Sequence, residues 1–167
     1  MSLHTISAEE IRYFLLRKYQ TYMKYMPNYR NYMYCTTYQK EIIWQEIELS
    51  EFELPIIVRW IALDNWSFLT THRFFDYKNE LRETNIDEIL KIDFDIPLFG
   101  LDDWIREFII TMPEHKIWVV DVPNSTDFEM ISFWNMLNYA RKLTQDYHID
   151  KRFITRTKEE KLAIWKL

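Results

Sequence analysis

Four histidines, one cysteine and several closely spaced carboxylates are the residues of this chain that could do chemistry. His72 stands near the centre of WSFLTTHRFFDYKNELRETNIDEIL, residues 66–90, whose aromatic and β-branched content reads as sheet. In a continuous strand Phe68, Thr70, His72 and Phe74 share one face while Leu69, Thr71, Arg73 and Phe75 share the other. Two interleaved aromatic sets do not build a catalytic cleft by themselves, so His72 reads as a structural or surface residue of the strand. Asp93 and Asp95 flank Phe94, and Asp102 and Asp103 follow Gly100. Such carboxylates could hold a hard cation, or serve a small hydrolase together with His72 or His115. The spacing matches neither an EF-hand loop nor the paired histidines of a zinc-protease helix. Cys35 would become a nucleophile only beside a histidine that the fold delivers, and His4 and His148 are scattered. No residue is therefore assigned a catalytic, cofactor-binding or metal-binding role, and nothing calls for a cofactor.

The acidic run EIELSEFEL is the most unusual feature, with Glu46, Glu48, Glu51 and Glu53 close together. Read as strand, Glu46 and Glu48 share a face that Glu51 and Glu53 extend. A solvated strand face is the plain reading; a docking surface for a basic protein, as in an immunity protein that neutralises a toxin, is the functional one. Charge on such a surface sets encounter rate and orientation more than affinity.

The elements that must position these residues follow from composition and pattern. A chain of 167 residues suits one domain with a continuous core. The organisation expected is a single domain, 1–167, with a helix and connector over 1–40, a core over 41–143 and a basic tail over 144–167. The lone cysteine excludes an internal disulfide, no charged-then-apolar signal segment opens the chain, and no apolar run approaches the 18 or so residues of a membrane span. A soluble, cytoplasmic protein is expected. Gly100 is the one glycine, which removes phosphate cradles of the Walker or Rossmann type. Residues 1–40 carry six basic and two acidic groups (+4), residues 41–134 seven and twenty (−13), and residues 135–167 eight and four (+4). An acidic middle argues against nucleic acid and anionic lipid as partners and in favour of a basic one.

Ser7-Ala8-Glu9-Glu10 is a capping-box pattern that predicts a helix from Ala8, with apolar positions at Ile11, Phe14, Leu15, Tyr19 and Tyr22 until Pro27. Eight of the eleven tyrosines fall between Tyr13 and Tyr38, a segment that mixes rings with Arg17, Lys18, Lys24 and Arg30 as nucleic-acid surfaces do. Tyrosine at helical spacing more often packs its ring on the core and keeps its hydroxyl wet. Residues 28–38 read as an aperiodic connector. From Glu41 to Val122 the pattern predicts strands: IIWQEIEL, PIIVRWIAL, WSFLTTHRFFDY, ILKIDFDI, WIREFIITM and KIWVVDV. Asp64-Asn65, Lys78-Asn79 and Pro113-Glu114 are turn signals, and links this short require antiparallel neighbours. Thr126 to Glu129 repeats the capping box ahead of an apolar stripe that runs to about Leu143, and Thr157 to Glu160 predicts a short terminal helix.

Antiparallel strands joined by tight hairpins and followed by one amphipathic helix resemble the pleckstrin-homology-like fold, in particular bacterial pleckstrin-homology-like and GRAM-like domains. Phe68-Leu69-Thr70-Thr71-His72-Arg73-Phe74-Phe75 and Thr84-Asn85-Ile86-Asp87-Glu88-Ile89 carry the likeness, which spans about residues 41–143. It implies an α+β fold: an N-terminal helix, an antiparallel roll of six or seven strands, a C-terminal amphipathic helix and a short helical tail. It also implies a binding module without catalysis; a membrane-surface module is the further alternative. Relatives that bind phosphoinositides place lysines and arginines on their first two strands, where this chain has Glu46, Glu48, Glu51 and Glu53. The expected role is thus a non-catalytic protein-interaction module, with a bacterial immunity or regulatory protein as its most specific form.

Overall fold

The computed structural model describes residues 6–94, 107–121 and 127–145. Helix α1 covers Ala8–Met23; the Ser7 hydroxyl accepts the Glu10 amide while the Glu10 carboxylate accepts that of Ser7, which satisfies two amides that a helix start leaves open. Strand β1 (Tyr29–Asn31) and a 3-10 turn (Tyr32–Tyr34) lie inside the tyrosine-rich connector. Helix α2 covers Thr37–Glu46. Four strands then run as β2 (Pro55–Ala62), β3 (Asn65–Thr70), β4 (Arg73–Lys78) and β5 (Leu81–Asn85). A 3-10 turn (Ile86–Glu88) leads to β6 (Lys91–Phe94), β7 (Glu107–Thr111) and β8 (Ile117–Asp121), and α3 covers Asp127–Gln145.

All strand pairs among the described residues are antiparallel. One sheet has the order β1-β2-β3-β4-β5, the other β6-β7-β8. From β2 to β5, and at β7–β8, successive strands are neighbours because their links are too short for a crossover. The β4–β5 link bends through Asn79 at φ 63°, a conformation that asparagine tolerates where glycine is absent. At the β7–β8 link Glu114 and His115 both take the left-handed region, with φ 61° and 58°.

Side chains alternate across the first sheet, and each face has its own apolar cluster. Tyr29, Ile57, Leu69 and Phe74 face a core shared with Leu15 and Tyr19 of α1, Phe108, Ile110 and Val120 of the second sheet, and Phe133, Met136 and Leu137 of α3. Val58, Trp66, Phe68 and Phe75 face Ile43 and Ile47, so α2 covers the opposite face. The Trp134 indole donates to the Ile92 carbonyl at 2.7 Å and ties α3 to β6.

Three sequence expectations are corrected. IIWQEIEL is not a strand: its first five residues end α2, and Glu48 and Leu49 follow without regular structure. Thr36 caps that helix by accepting the Gln39 amide, the Gln39 side chain accepts the Thr36 amide, and Gln39, Ile43 and Ile47 turn inward at a spacing of four. WSFLTTHRFFDY is two strands, broken at Thr71-His72, so Phe68 and Phe74 lie on opposite faces rather than on one. The β2–β3 link is Leu63-Asp64, since Asn65 already pairs with Ala62. Asp95, Asp102, Asp103, His4, His148, Thr126 and the terminal helix expected at 157–160 lie outside the described residues.

Candidate functional site

The β3–β4 turn organises the polar side chains around Arg73. Thr70 accepts the amides of His72 and Arg73 at 3.2 and 2.9 Å, which closes the turn, and its hydroxyl donates to Glu53. Arg73 then forks onto the Glu53 carboxylate, with Nε at 3.1 Å from both oxygens and Nη2 at 2.6 Å from one. Its remaining donors reach the Glu83 carboxylate at 3.1 Å and the Glu48 carbonyl at 2.7 Å. The two halves of residues 66–90 meet here, because the Ile86 amide donates to the His72 carbonyl at 2.8 Å.

This geometry separates the four glutamates of the acidic run. The Glu53 side chain is fully buried against Arg73 and is not offered to a partner. Glu46 at the end of α2, and Glu48 and Glu51 in the segment after it, are exposed. They do not share a strand face. Large apolar side chains are also exposed on α2 and on either side of it: Met33 is 57% exposed, Tyr34 64%, Tyr38 56% and Phe52 73%. Tyr38, Glu41 and Gln45, at a spacing of three and four, form an outward stripe on α2. Trp44 is held by an indole hydrogen bond to the Tyr32 hydroxyl at 2.8 Å, and Lys40 lies 4.9 Å from the Tyr32 ring.

A second polar group, which the sequence reading did not single out, crosses the core-facing side of the first sheet. Tyr29, Arg59, Ser67, Asp76 and Arg82 are successive cross-strand neighbours from β1 to β5. Arg59 donates to Ser67 at 3.0 Å and to Asn65 at 3.1 Å, Ser67 donates to Asp76 at 2.9 Å, and Arg82 pairs with the other Asp76 oxygen. Arg82 also donates to the Val119 carbonyl at 2.9 Å, which joins this row to β8 of the second sheet. Arg59 and Asp76 are buried. The legible signal was a lone arginine inside the apolar strand PIIVRWIAL and a lone aspartate in RFFDYK, each demanding a partner once buried.

Among the described residues the other candidates are not gathered into one site. The His72 imidazole is exposed and contacts the Thr71 hydroxyl at 2.8 Å, and His115 is exposed in the β7–β8 turn. Asp93 pairs with Lys91 at 3.0 Å. Cys35 is buried, and desolvation pushes its thiol up to about 11 against the opposing charges of Arg30 and Lys40, which disfavours the thiolate a nucleophile needs. Among the described residues no group of three or more His, Cys, Asp or Glu side chains is placed to hold a metal ion, and no helix is long and apolar enough to cross a membrane.

An open cleft of about 390 Å³ lies where the end of β5 faces the β7–β8 turn. Arg73, Glu83, Thr84, Asn85 and Glu88 form one wall, and Met112, Pro113, Glu114 and Lys116 the other. No family model, no curated protein and no solved structure matches the chain.

Proposed function

We propose that the chain is a non-catalytic protein-interaction module that docks a basic protein on the surface built by α2 and the segment after it. One observation carries the reading: Tyr38 and Phe52 stand more than half exposed in the segments that also expose Glu41, Glu46, Glu48 and Glu51, and Met33 and Tyr34 are as exposed on the turn before α2. Aromatic residues and methionine are enriched in interface cores, and carboxylates around them steer a basic partner into register. A bacterial immunity or regulatory role in the cytoplasm is the most specific form of this proposal. A pleckstrin-homology-like scaffold is part of it, supported by the order of elements after α2: a four-strand meander, a three-strand meander, then a helix.

The test places a photocrosslinking residue at Tyr38 of the full chain and, as a control, at Asn135, an exposed position on α3, across the first sheet from α2. In the source organism, position 38 is expected to capture a protein of net positive charge that position 135 does not. Glu46→Lys with Glu48→Lys should abolish capture without lowering the melting temperature. Equal capture from both positions, or capture indifferent to the charge reversal, would overturn the reading.

A further inference from the structure

We infer that the cleft between β5 and the β7–β8 turn is a receptor for an arginine side chain. The inference rests on the reading above for the source of that arginine, the basic partner, but the preference of the cleft can be measured without it. Four elements build the cleft: β4 supplies Arg73, β5 supplies Glu83, Thr84 and Asn85, the following 3-10 turn supplies Glu88, and the β7–β8 link supplies Met112, Pro113, Glu114 and Lys116. Its volume, about 390 Å³, lies within the range of pockets that enclose small ligands.

The walls are amphipathic in the way an arginine is. Met112 is buried in the main core and, with Pro113, offers an apolar strip for the three methylenes. Glu83, Glu88 and Glu114, from three separate elements, line the cleft together with that strip. Arg73 does not turn the site into an anion receptor, because its Nε, Nη1 and Nη2 are occupied by Glu53, Glu83 and the Glu48 carbonyl. The buried Glu53 carboxylate offsets its charge. With Glu53 counted, four carboxylates face two cations, Arg73 and Lys116, an excess of two negative charges. A planar guanidinium can take two carboxylates side by side, whereas an ammonium meets them as a point charge, so arginine is favoured over lysine. Arg73 also connects this cleft to the docking surface, since one guanidinium contacts both Glu83 in its wall and the Glu48 carbonyl in the acidic run.

The experiment is a titration of the isotope-labelled full chain, followed by amide chemical shifts, with N-acetylarginine amide, N-acetyllysine amide and inorganic phosphate as probes. Arginine amide should give saturating shifts confined to residues 83–88 and 112–116 and should bind at least threefold tighter than lysine amide. Phosphate should give none that saturate. Glu88→Gln with Glu114→Gln should weaken arginine binding at least tenfold, and Lys116→Gln, which removes the opposing cation, should tighten it; this second variant decides the matter if the first loses its dispersed spectrum. Shifts that never saturate, that persist undiminished in the double variant, or that follow phosphate would overturn the assignment. Saturating arginine binding without a basic partner captured at position 38 would sink the docking reading alone. Capture without arginine saturation would sink this inference alone.

Discussion

The Glu53 carboxylate is pulled in two directions. Burial favours its neutral form, while hydrogen bonds from Arg73, Thr70 and the Ser50 amide, together with the Arg73 charge, outweigh burial and hold the group below its ordinary value of 4.5. A carboxylate whose folded pKa is depressed contributes stability that is complete above the unfolded value and is lost as pH falls through the folded one. Glu53→Gln should therefore cost about 2–4 kcal/mol at neutral pH, because it breaks a buried pair and leaves the arginine partly uncompensated. That difference should shrink as pH falls below 4.5. Urea unfolding of both proteins across pH checks this, and a difference that stays constant into acid would show that the charge is not what matters. The same change at Glu46, Glu48 or Glu51, which are exposed, should stay within about 0.5 kcal/mol. These four glutamates are indistinguishable in EIELSEFEL. What separates Glu53 is Arg73, twenty positions away, and a contact over that distance depends on how two strands close rather than on spacing in the chain.

At the level of elements, local signals were legible where one pattern acts alone. The cap at Ser7, the turn at Asn79 and the strands β2 and β8 each follow from a few adjacent residues. Helix α2 was misread because Ile42, Ile43, Trp44 and Ile47 have strand propensity, while the decisive signal, Thr36 with Gln39, lay upstream of the apolar run. The break between β3 and β4 was hidden by the absence of glycine or proline; Thr70 supplies it by accepting two amides. The row from Arg59 to Arg82 was illegible as a unit, since it exists only once four strands are in register. Removing one member leaves buried charge unpaired, so Asp76→Ala should cost about 3–5 kcal/mol. Arg59→Met together with Asp76→Leu should cost less than Asp76→Ala alone, because apolar groups of similar volume need no partner. Denaturant midpoints at unchanged slope measure both, and costs that simply add would show that the residues act independently.

At the scale of the whole molecule, the charge pattern bears on which surfaces a partner can use. The −13 carried by residues 41–134 includes the exposed Glu46, Glu48 and Glu51, while the basic N-terminal segment spends part of its charge on rings: Lys18 lies 4.1 Å from the Tyr139 ring and Lys24 4.9 Å from that of Tyr25. Phosphoinositide-binding relatives of the fold proposed above would use cations on the two strands equivalent to β2 and β3. Over residues 55–70 the chain has one cation, Arg59, and it is buried against Ser67 and Asp76, while the link between those strands is Leu63-Asp64. Nothing positive therefore faces outward where an anionic headgroup would approach, and exposed carboxylates repel it within a screening length of about 8 Å at physiological salt. Vesicles containing a phosphoinositide should sediment no more protein than neutral vesicles at that ionic strength. Saturable, salt-sensitive sedimentation would mean that a lipid-facing surface lies elsewhere on the chain. Replacing Lys18 and Lys24 by glutamine would then show whether it uses these two lysines of α1 and its C-cap, because those cations leave solvent only to meet neighbouring rings and remain available to a phosphate. If that variant still binds lipid with the same salt dependence, Lys18 and Lys24 are not what holds it.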